Sequence, residues 1–408
     1  MSDMDRCLMK WLRELHPPDK MVFLAGPRQV GKTTMVKQIL ETWHDKGAYF
    51  NWDISSHRRR ILEDEDLLSE WRRPAKRPMI IFDELHKMRQ FKSWLKGFYD
   101  EYKGDASVWV TGSGRLDLYR KGGDSLLGRY FLYRMHPLSI GEIQKIRQAG
   151  SLEEPDKGWE AFAHGKIKFE NIDSLLNLGG FPEPYIKQEK TFHKRWLRSR
   201  RERITHEDVR DLTRIDDVDR LENLIHLLNP RIASPLSLNS LRGDLGIAFE
   251  TVRGWIATLE RLYYIYGVTP YSHRLQRAIK REKKYYFWDW SEVQDEAARF
   301  ENFVMSHLLK ACHIWSDFGL GDFKLWYLRD REKREVDALI TLDNAPWLMV
   351  EVKVKDLKVS KPLRRFARLL NCDRVVQIVQ SKSIYRQVKI DSHIYHVVSA
   401  EGFLSWLP

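Results

Sequence analysis

The sequence predicts an α/β protein made of two α/β blocks with a mostly helical stretch between them, and three observations carry that prediction. Short apolar runs alternate with helical periodicities through the first third of the 408 residues. Apolar residues then fall at helical spacing from roughly 140 to 270. From about 271 a second α/β pattern begins, separate from the first.

In the first block, strand-like runs fall at about 21 to 25, 48 to 52, 78 to 82, 107 to 111 and 129 to 134. Helical patterns separate them, which is how a parallel sheet reads, because parallel strands need crossover connections. The third block opens with a helix around "DEAARFENFVMSHLLKA". "KLWYL", "EVDALITL" and "WLMVEVKV" follow as strands, then a basic helix and the strand "RVVQIV".

Composition narrows the classes. A hydrophobic fraction of 43% suffices for ordinary cores, while apolar runs such as "MVFLA" and "PMIIF" fall far short of the roughly 20 residues a bilayer requires. No charged-then-apolar leader opens the chain, and Cys7, Cys312 and Cys372 form no CxxC pair. A cytoplasmic protein without a membrane partner or structural zinc is therefore expected. The net charge of +12 fits a protein that binds a polyanion, although many soluble proteins are basic without touching nucleic acid.

"GPRQVGKTT" lies between the strand-like "MVFLA" and the amphipathic "MVKQIL". Its residues Gly26, Pro27, Arg28, Gln29, Val30, Gly31, Lys32, Thr33 and Thr34 have the spacing of a phosphate cradle. Backbone amides surround the anion, Lys32 reaches the β and γ oxygens, and the Thr33 hydroxyl meets Mg²⁺. The strand "MIIFDE" then delivers Asp83 to support that metal and Glu84 to polarise an attacking water. ATP and Mg²⁺ are the expected ligands. "VWVTGSG" ends another strand with Thr111 and Ser113, either of which could sense a γ-phosphate.

Arg129, in "SLLGRY", admits two readings. An arginine beside a glycine at a strand start is commonly a surface charge. Hydrolysis, however, needs a positive charge opposite the leaving oxygens, and the motifs otherwise supply only Lys32. As an arginine finger working in trans, Arg129 would require a homo-oligomer with ATP sites at subunit interfaces.

Farther along, the two glycines and two prolines of "GGFPEPY", Gly179 to Tyr185, predict a turn, or a hinge that follows nucleotide state. "KRWLRSRRERI" spreads Lys194, Arg195, Arg198, Arg200, Arg201 and Arg203 around a helix axis, as a solvated helix would. "LSLNSLRGDLGIAFETVRGWIATLERLYYI" reads as a helix, a glycine turn and a second helix from about Ala248 to Leu259. On that second helix Glu250, Thr251 and Arg253 would face a groove, with Val252, Trp255, Ile256 and Leu259 packed inward. A helical lid that binds no nucleic acid is the alternative. "SHRLQRAIKREKKYY" then carries Arg274, Arg277, Lys280, Arg281, Lys283 and Lys284, a track for phosphates with tyrosines to stack on.

In the third block, Asp337 of "EVDAL" precedes Glu351 and Lys353 of "EVKV" by fourteen residues and more, on consecutive strands. Such carboxylates converge on Mg²⁺, and a lysine two residues on shares the face and can orient water. Glu301, in the preceding helix, could complete the metal set. Glu-x-Lys also occurs at Glu101 and Glu282, so the spacing alone is weak. The order of helix, strand, strand with Asp, strand with Glu-x-Lys, helix and strand nevertheless looks like the PD-(D/E)XK nuclease fold, which sometimes persists as a silent scaffold.

Taken together, "GPRQVGKTT", "DELHK", "TGS", "LLGR", "HPLS" with Glu142, "GGFPEPY", "EVDALI" and "EVK" resemble the AAA-type P-loop ATPases of bacteria and archaea that carry a C-terminal domain of unknown function. The resemblance covers nearly the whole chain. It implies an AAA-type core over 1–137, a helical lid over 138–215, a winged helix over 216–270 and a restriction-endonuclease-like α/β domain over 271–408. That family usually has glutamine where this chain has His86. Two functions follow as expectations. One is a Mg²⁺-dependent ATPase that couples hydrolysis to binding, moving or remodelling DNA, with or without nuclease activity; Thr251, Arg253, Arg281, Lys283 and Lys284 would contact the nucleic acid. The other is an ATP-controlled regulatory or defence switch with a silent nuclease-like domain.

Overall fold

The computed structural model describes residues 6–44, 47–64, 66–70, 77–112, 126–143, 155–165, 171–209, 217–272 and 282–408. Two compact units, Met1–His136 and Pro137–Pro408, make up the chain.

The first unit runs α1 (Cys7–Leu15), β1 (Met21–Ala25), α2 (Lys32–Glu41), β2 (Gly47–Asn51), α3 (Ser55–Glu63), β3 (Met79–Asp83), α4 (Phe91–Tyr102), β4 (Ser107–Gly112) and β5 (Tyr130–Arg134). Its strands pair in the order β2-β3-β4-β1-β5, all parallel. Central β1 and β3 are buried at every residue, because helices cover both faces of such a sheet. That is why "MVFLA" and "MIIFD" read as continuous apolar runs instead of alternating. The apolar stripe of α4 places Phe98 5.2 Å and Trp94 5.1 Å, ring to ring, from Phe82 of β3. Each strand lies within a residue or so of its expected span.

The second unit begins with α5 (Ile140–Ile143), α6 (Pro155–Ala163), α7 (Asp173–Leu178), α8 (Pro182–Lys187), α9 (Lys190–Arg203), α10 (Val218–Leu228), α11 (Leu238–Leu245) and α12 (Phe249–Arg261). It continues with β6 (Ile265–Pro270), β7 (Lys284–Phe287), α13 (Glu296–Asp317), β8 (Phe323–Arg329), β9 (Glu335–Leu342), β10 (Ala345–Lys353), α14 (Lys361–Leu370), β11 (Val375–Val379), β12 (Tyr385–Ile390), β13 (His393–Ser399) and α15 (Ala400–Leu404). Its strands form one eight-stranded sheet, β12-β13-β11-β10-β9-β8-β6-β7. The boundaries expected at 215/216 and 270/271 both fall inside this unit. The sheet crosses the second of them, since the β6–β7 hairpin is tied to the later strands by parallel pairing of Thr269 and Pro270 with Trp326 and Tyr327.

Two local expectations are corrected. The turn at 179–185 is confined to Gly179–Phe181, because α8 starts at Pro182, where a proline's missing amide has no helical partner to lose. The glycines before it allow close packing: a Cβ on Gly180 would come within 2.5 Å of the Trp290 ring and one on Gly179 within 2.4 Å of an Asp289 carboxylate oxygen. Arg200 is not on a solvated face of α9. Its guanidinium is buried, 2.7 Å from Glu292 and 4.5 Å over the Phe181 ring, while the Tyr264 hydroxyl donates to the other Glu292 oxygen at 2.6 Å.

Removing one member of that buried network should leave a charge without its partner. Arg200→Ala is expected to destabilise the second unit by about 3–5 kcal/mol, read as an earlier urea midpoint. Arg200→Leu combined with Glu292→Leu should recover most of the loss. Equal midpoints for Arg200→Ala and the parent would show that the pair contributes nothing.

Candidate active site

The phosphate-cradle residues join the end of β1 to the start of α2, and the backbone explains the glycines. Gly26 has φ +154°, and a Cβ there would lie 2.3 Å from the Met135 carbonyl oxygen. Gly31, the N-cap of α2, has φ 102°. Lys32 is buried, its ammonium donating to the carbonyls of Gly26 at 2.9 Å and Pro27 at 2.7 Å. It thus closes over its own loop with two hydrogen bonds to neutral carbonyls, which stronger bonds to anionic phosphate oxygens would replace. Arg6, which the sequence did not single out, pins the loop from outside by donating to the Val30 carbonyl at 3.0 Å.

Asp83, at the end of β3 and 2% exposed, gathers the neighbouring strand ends. One carboxylate oxygen accepts from Thr33 at 2.8 Å and Tyr49 at 2.6 Å, and the other accepts from Thr111. Thr111, weighed as a phosphate sensor, is committed to Asp83; Ser113 lies outside the described residues. Two oxygen donors in contact, a threonine hydroxyl and a carboxylate, suit a hard cation such as Mg²⁺.

Glu84 follows with φ 58°, a left-handed turn that swings its side chain out of the strand. Its carboxylate lies 3.4 Å from the Lys87 ammonium and 3.7 Å from His86 Nε2, with Lys87 also held at 2.6 Å by Asp53. Burial raises the Glu84 pKa above the ordinary carboxylate range, against the opposing pull of Lys87 and Lys32. His86, where the resembled family usually has glutamine, is buried beside this carboxylate.

Arg129 lies at the other end of the sheet. Its backbone carbonyl accepts from Met21 at the start of β1, and its guanidinium grips Asp100 of α4 at 2.8 and 3.0 Å. Five strand steps separate Met21 from the cradle, roughly 16 Å. Arg129 therefore does not join the site of its own chain.

In the second unit, α11, the Gly246 turn and α12 stand where the sequence places two helices, with Val252, Trp255, Ile256 and Leu259 buried. Arg253 and Glu250 are exposed and paired at 2.5 Å, and Thr251 is half-buried. Lys283 is half-buried, 3.4 Å from Glu260. Arg274, Arg277, Lys280 and Arg281 lie outside the described residues.

Lys284 is corrected. It is 1% exposed and cannot meet a phosphate backbone. Its ammonium lies 3.1 Å from Glu301, 2.6 Å from Glu335 and 3.5 Å from Asp337. It therefore belongs to the acidic centre of the eight-stranded sheet, where Lys353 pairs with Glu351 at 2.7 Å. Burial, then the repulsion of Asp337, pushes both Glu301 and Glu351 up to about 7. The expected metal set of Glu301, Asp337 and Glu351 is also corrected: no group of acidic, histidine or cysteine residues able to hold a metal exists among the described residues, because a lysine stands between Glu301 and Asp337. The inward place of Lys284 and the part of Glu335 carry no local sequence signal, since one ends a basic run and the other opens a strand.

Comparison with known proteins agrees with the first unit. Residues 18–144 match the family model of an AAA domain, which supports nucleotide binding and an AAA-type ATPase there. Residues 169–293 and 297–400 match two domains of unknown function, DUF8612 and DUF4143. No curated protein matches the chain. A solved chain from work on katanin self-assembly is 19% identical, with a TM-score of 0.24, over 42% of this chain and 57% of that one. Among the described residues no helix is long and apolar enough to cross a membrane.

The Glu84 environment fixes a pH signature. Because its folded pKa is raised, ionisation costs the folded state, so Glu84→Gln should melt higher than the parent at neutral pH. That gap should close below the usual carboxylate range, where the parent is protonated folded or unfolded. ATP turnover should fall as pH drops through the Glu84 pKa. Lys87→Ala, removing a cation 3.4 Å away, should move that limb to higher pH. An unmoved limb in the pH–rate profile would separate Glu84 from the base.

Proposed function

We propose that the first unit hydrolyses ATP and that the second unit turns nucleotide state into contact with DNA. The observation that carries the reading is the Thr33–Asp83 contact beside the Gly26 cradle, with Glu84 next in the chain. Thr33 and Asp83 would hold Mg²⁺, which neutralises phosphate charge and orients the terminal phosphoryl group. Glu84 takes a proton from water as that water's oxygen bonds to the γ-phosphorus. The bond from that phosphorus to the bridging oxygen breaks, leaving ADP and phosphate. Lys32, released from the Gly26 and Pro27 carbonyls, meets the developing charge, and burial, by raising the Glu84 pKa, makes its carboxylate a stronger base.

Arg129 serves a neighbouring subunit in this reading. Its place at the far end of the strands, away from its own cradle, supports action in trans and hence an oligomer with sites between copies. Mixing Arg129→Ala with Lys32→Ala subunits should restore part of the activity that each lacks alone. No recovery at any ratio would count against the trans arrangement.

The DNA-facing part rests on α10, α11 and α12 followed by the β6–β7 hairpin, the order of a winged helix, with Thr251, Arg253 and Lys283 toward the nucleic acid. The remaining sheet, with Asp337 and Glu351 on adjacent strands β9 and β10, supports a nuclease-like architecture. No phosphodiester cleavage is assigned to it, since the carboxylates enclose Lys284. That enclosure favours the second reading within the same scheme, a regulatory or defence switch whose end domain is silent. Phosphate release measured with and without duplex DNA separates the two: strong stimulation supports a motor, slow and indifferent turnover a switch. Arg253→Glu with Lys283→Glu should weaken DNA binding at every sequence and flatten its salt dependence by about one unit per lost phosphate contact. Unchanged affinity and slope would remove DNA from this face.

A further inference from the structure

The acidic centre of the second unit contains a cation of its own. Lys284 reaches it from β7, the edge strand, held there by pairing with Val268 and by a bridge to Pro235. An isolated ammonium at this depth would be strongly disfavoured, and three carboxylates compensate it. The Tyr327 ring, 5.6 Å away, adds a favourable face for a cation.

Several oxygens around Lys284 also carry other donors. Glu301 also accepts from the Tyr286 hydroxyl at 2.8 Å, and Glu335 from Arg329 at 2.7 Å. The second Asp337 oxygen accepts from the Val352 amide at 2.8 Å, and Glu351 holds Lys353. Glu351 Oε2 is buried without a hydrogen-bond partner, but the place a cation would take among Glu301, Glu335 and Asp337 is filled by the ammonium, at 3.1, 2.6 and 3.5 Å from their oxygens. Lys284, Lys353 and Arg329 thus face Glu301, Glu335, Asp337 and Glu351, close to neutrality with no ion added.

We propose that the Lys284 ammonium is the resident cation of this centre, standing where a nuclease-like fold would take a divalent metal, so that the sheet retains its carboxylates without binding Mg²⁺. The proposal rests on the nuclease-like reading of the sheet and is independent of the ATP site. Its geometry makes Lys284 a positioning residue that fastens β7 to α13 and β9.

The test is Mn²⁺ binding to the nucleotide-free full chain, counted by electron paramagnetic resonance. The parent should show no Mn²⁺ site that Asp337→Asn removes. Lys284→Met should create one such site, at least roughly tenfold tighter than any in the parent, and adding Asp337→Asn should abolish it. A parent that already binds Mn²⁺ through Asp337 overturns the proposal, and this measurement needs no Lys284 variant to fold. If Lys284→Met folds poorly, its melting temperature should rise with Mn²⁺ and not with tetramethylammonium; indifference to Mn²⁺ also overturns the proposal. ATP turnover by the same parent preparation reports separately on the first unit, so failure of one reading leaves the other legible.

Discussion

The arrangement of the first unit depends on one buried carboxylate. Asp83 closes β3 and takes hydrogen bonds from the start of α2, from β2 and from β4, so three strand ends and the cradle helix share one anchor. The Asn51 side-chain amide at the end of β2 also reaches it, at 3.5 Å. A carboxylate so enclosed is tolerable only because hydroxyl donors surround it. The donors give the anchor direction, and with it the distance between the loop that Lys32 closes and the turn that presents Glu84.

Much of this was legible in the amino-acid order because its signals are local. The cradle spacing spans nine residues, and the parallel strands announce themselves as unbroken apolar runs between helices. The edge strands β12 and β7 were not legible. β12 exposes Arg386, Gln387 and Lys389 without a clean alternation and buries little. β7 begins with a lysine at the end of a basic run, and nothing nearby says that this lysine turns inward. Its partners Glu301, Glu335 and Asp337 are 17, 51 and 53 positions away, and only the folded sheet gathers them. Tyr49 and Arg6 were missed for the same reason.

The charge balance is likewise more than a surface property. In a chain of net charge +12, several cations are spent internally. Arg200 serves Glu292, Lys284 serves the acidic centre, and Lys310 of α13 binds Glu142 at 2.5 Å and the Ser139 hydroxyl at 2.8 Å. That last contact gives the "HPLS" segment and its glutamate a structural meaning: they fasten the opening of the second unit to its longest helix. Counting basic residues therefore overstates the face available to a polyanion.

The hairpin of β6 and β7 lies within residues 169–293, whereas the strands it completes lie within 297–400. Two stretches that sequence comparison treats as separate modules thus share one hydrogen-bonded surface and one knot of charge. Neither could be excised or recombined with a foreign partner without exposing a raw strand edge on one side and stranding uncompensated anions on the other. Such a pair is expected to be inherited together, with substitutions at position 284 tracked by changes at 301, 335 or 337.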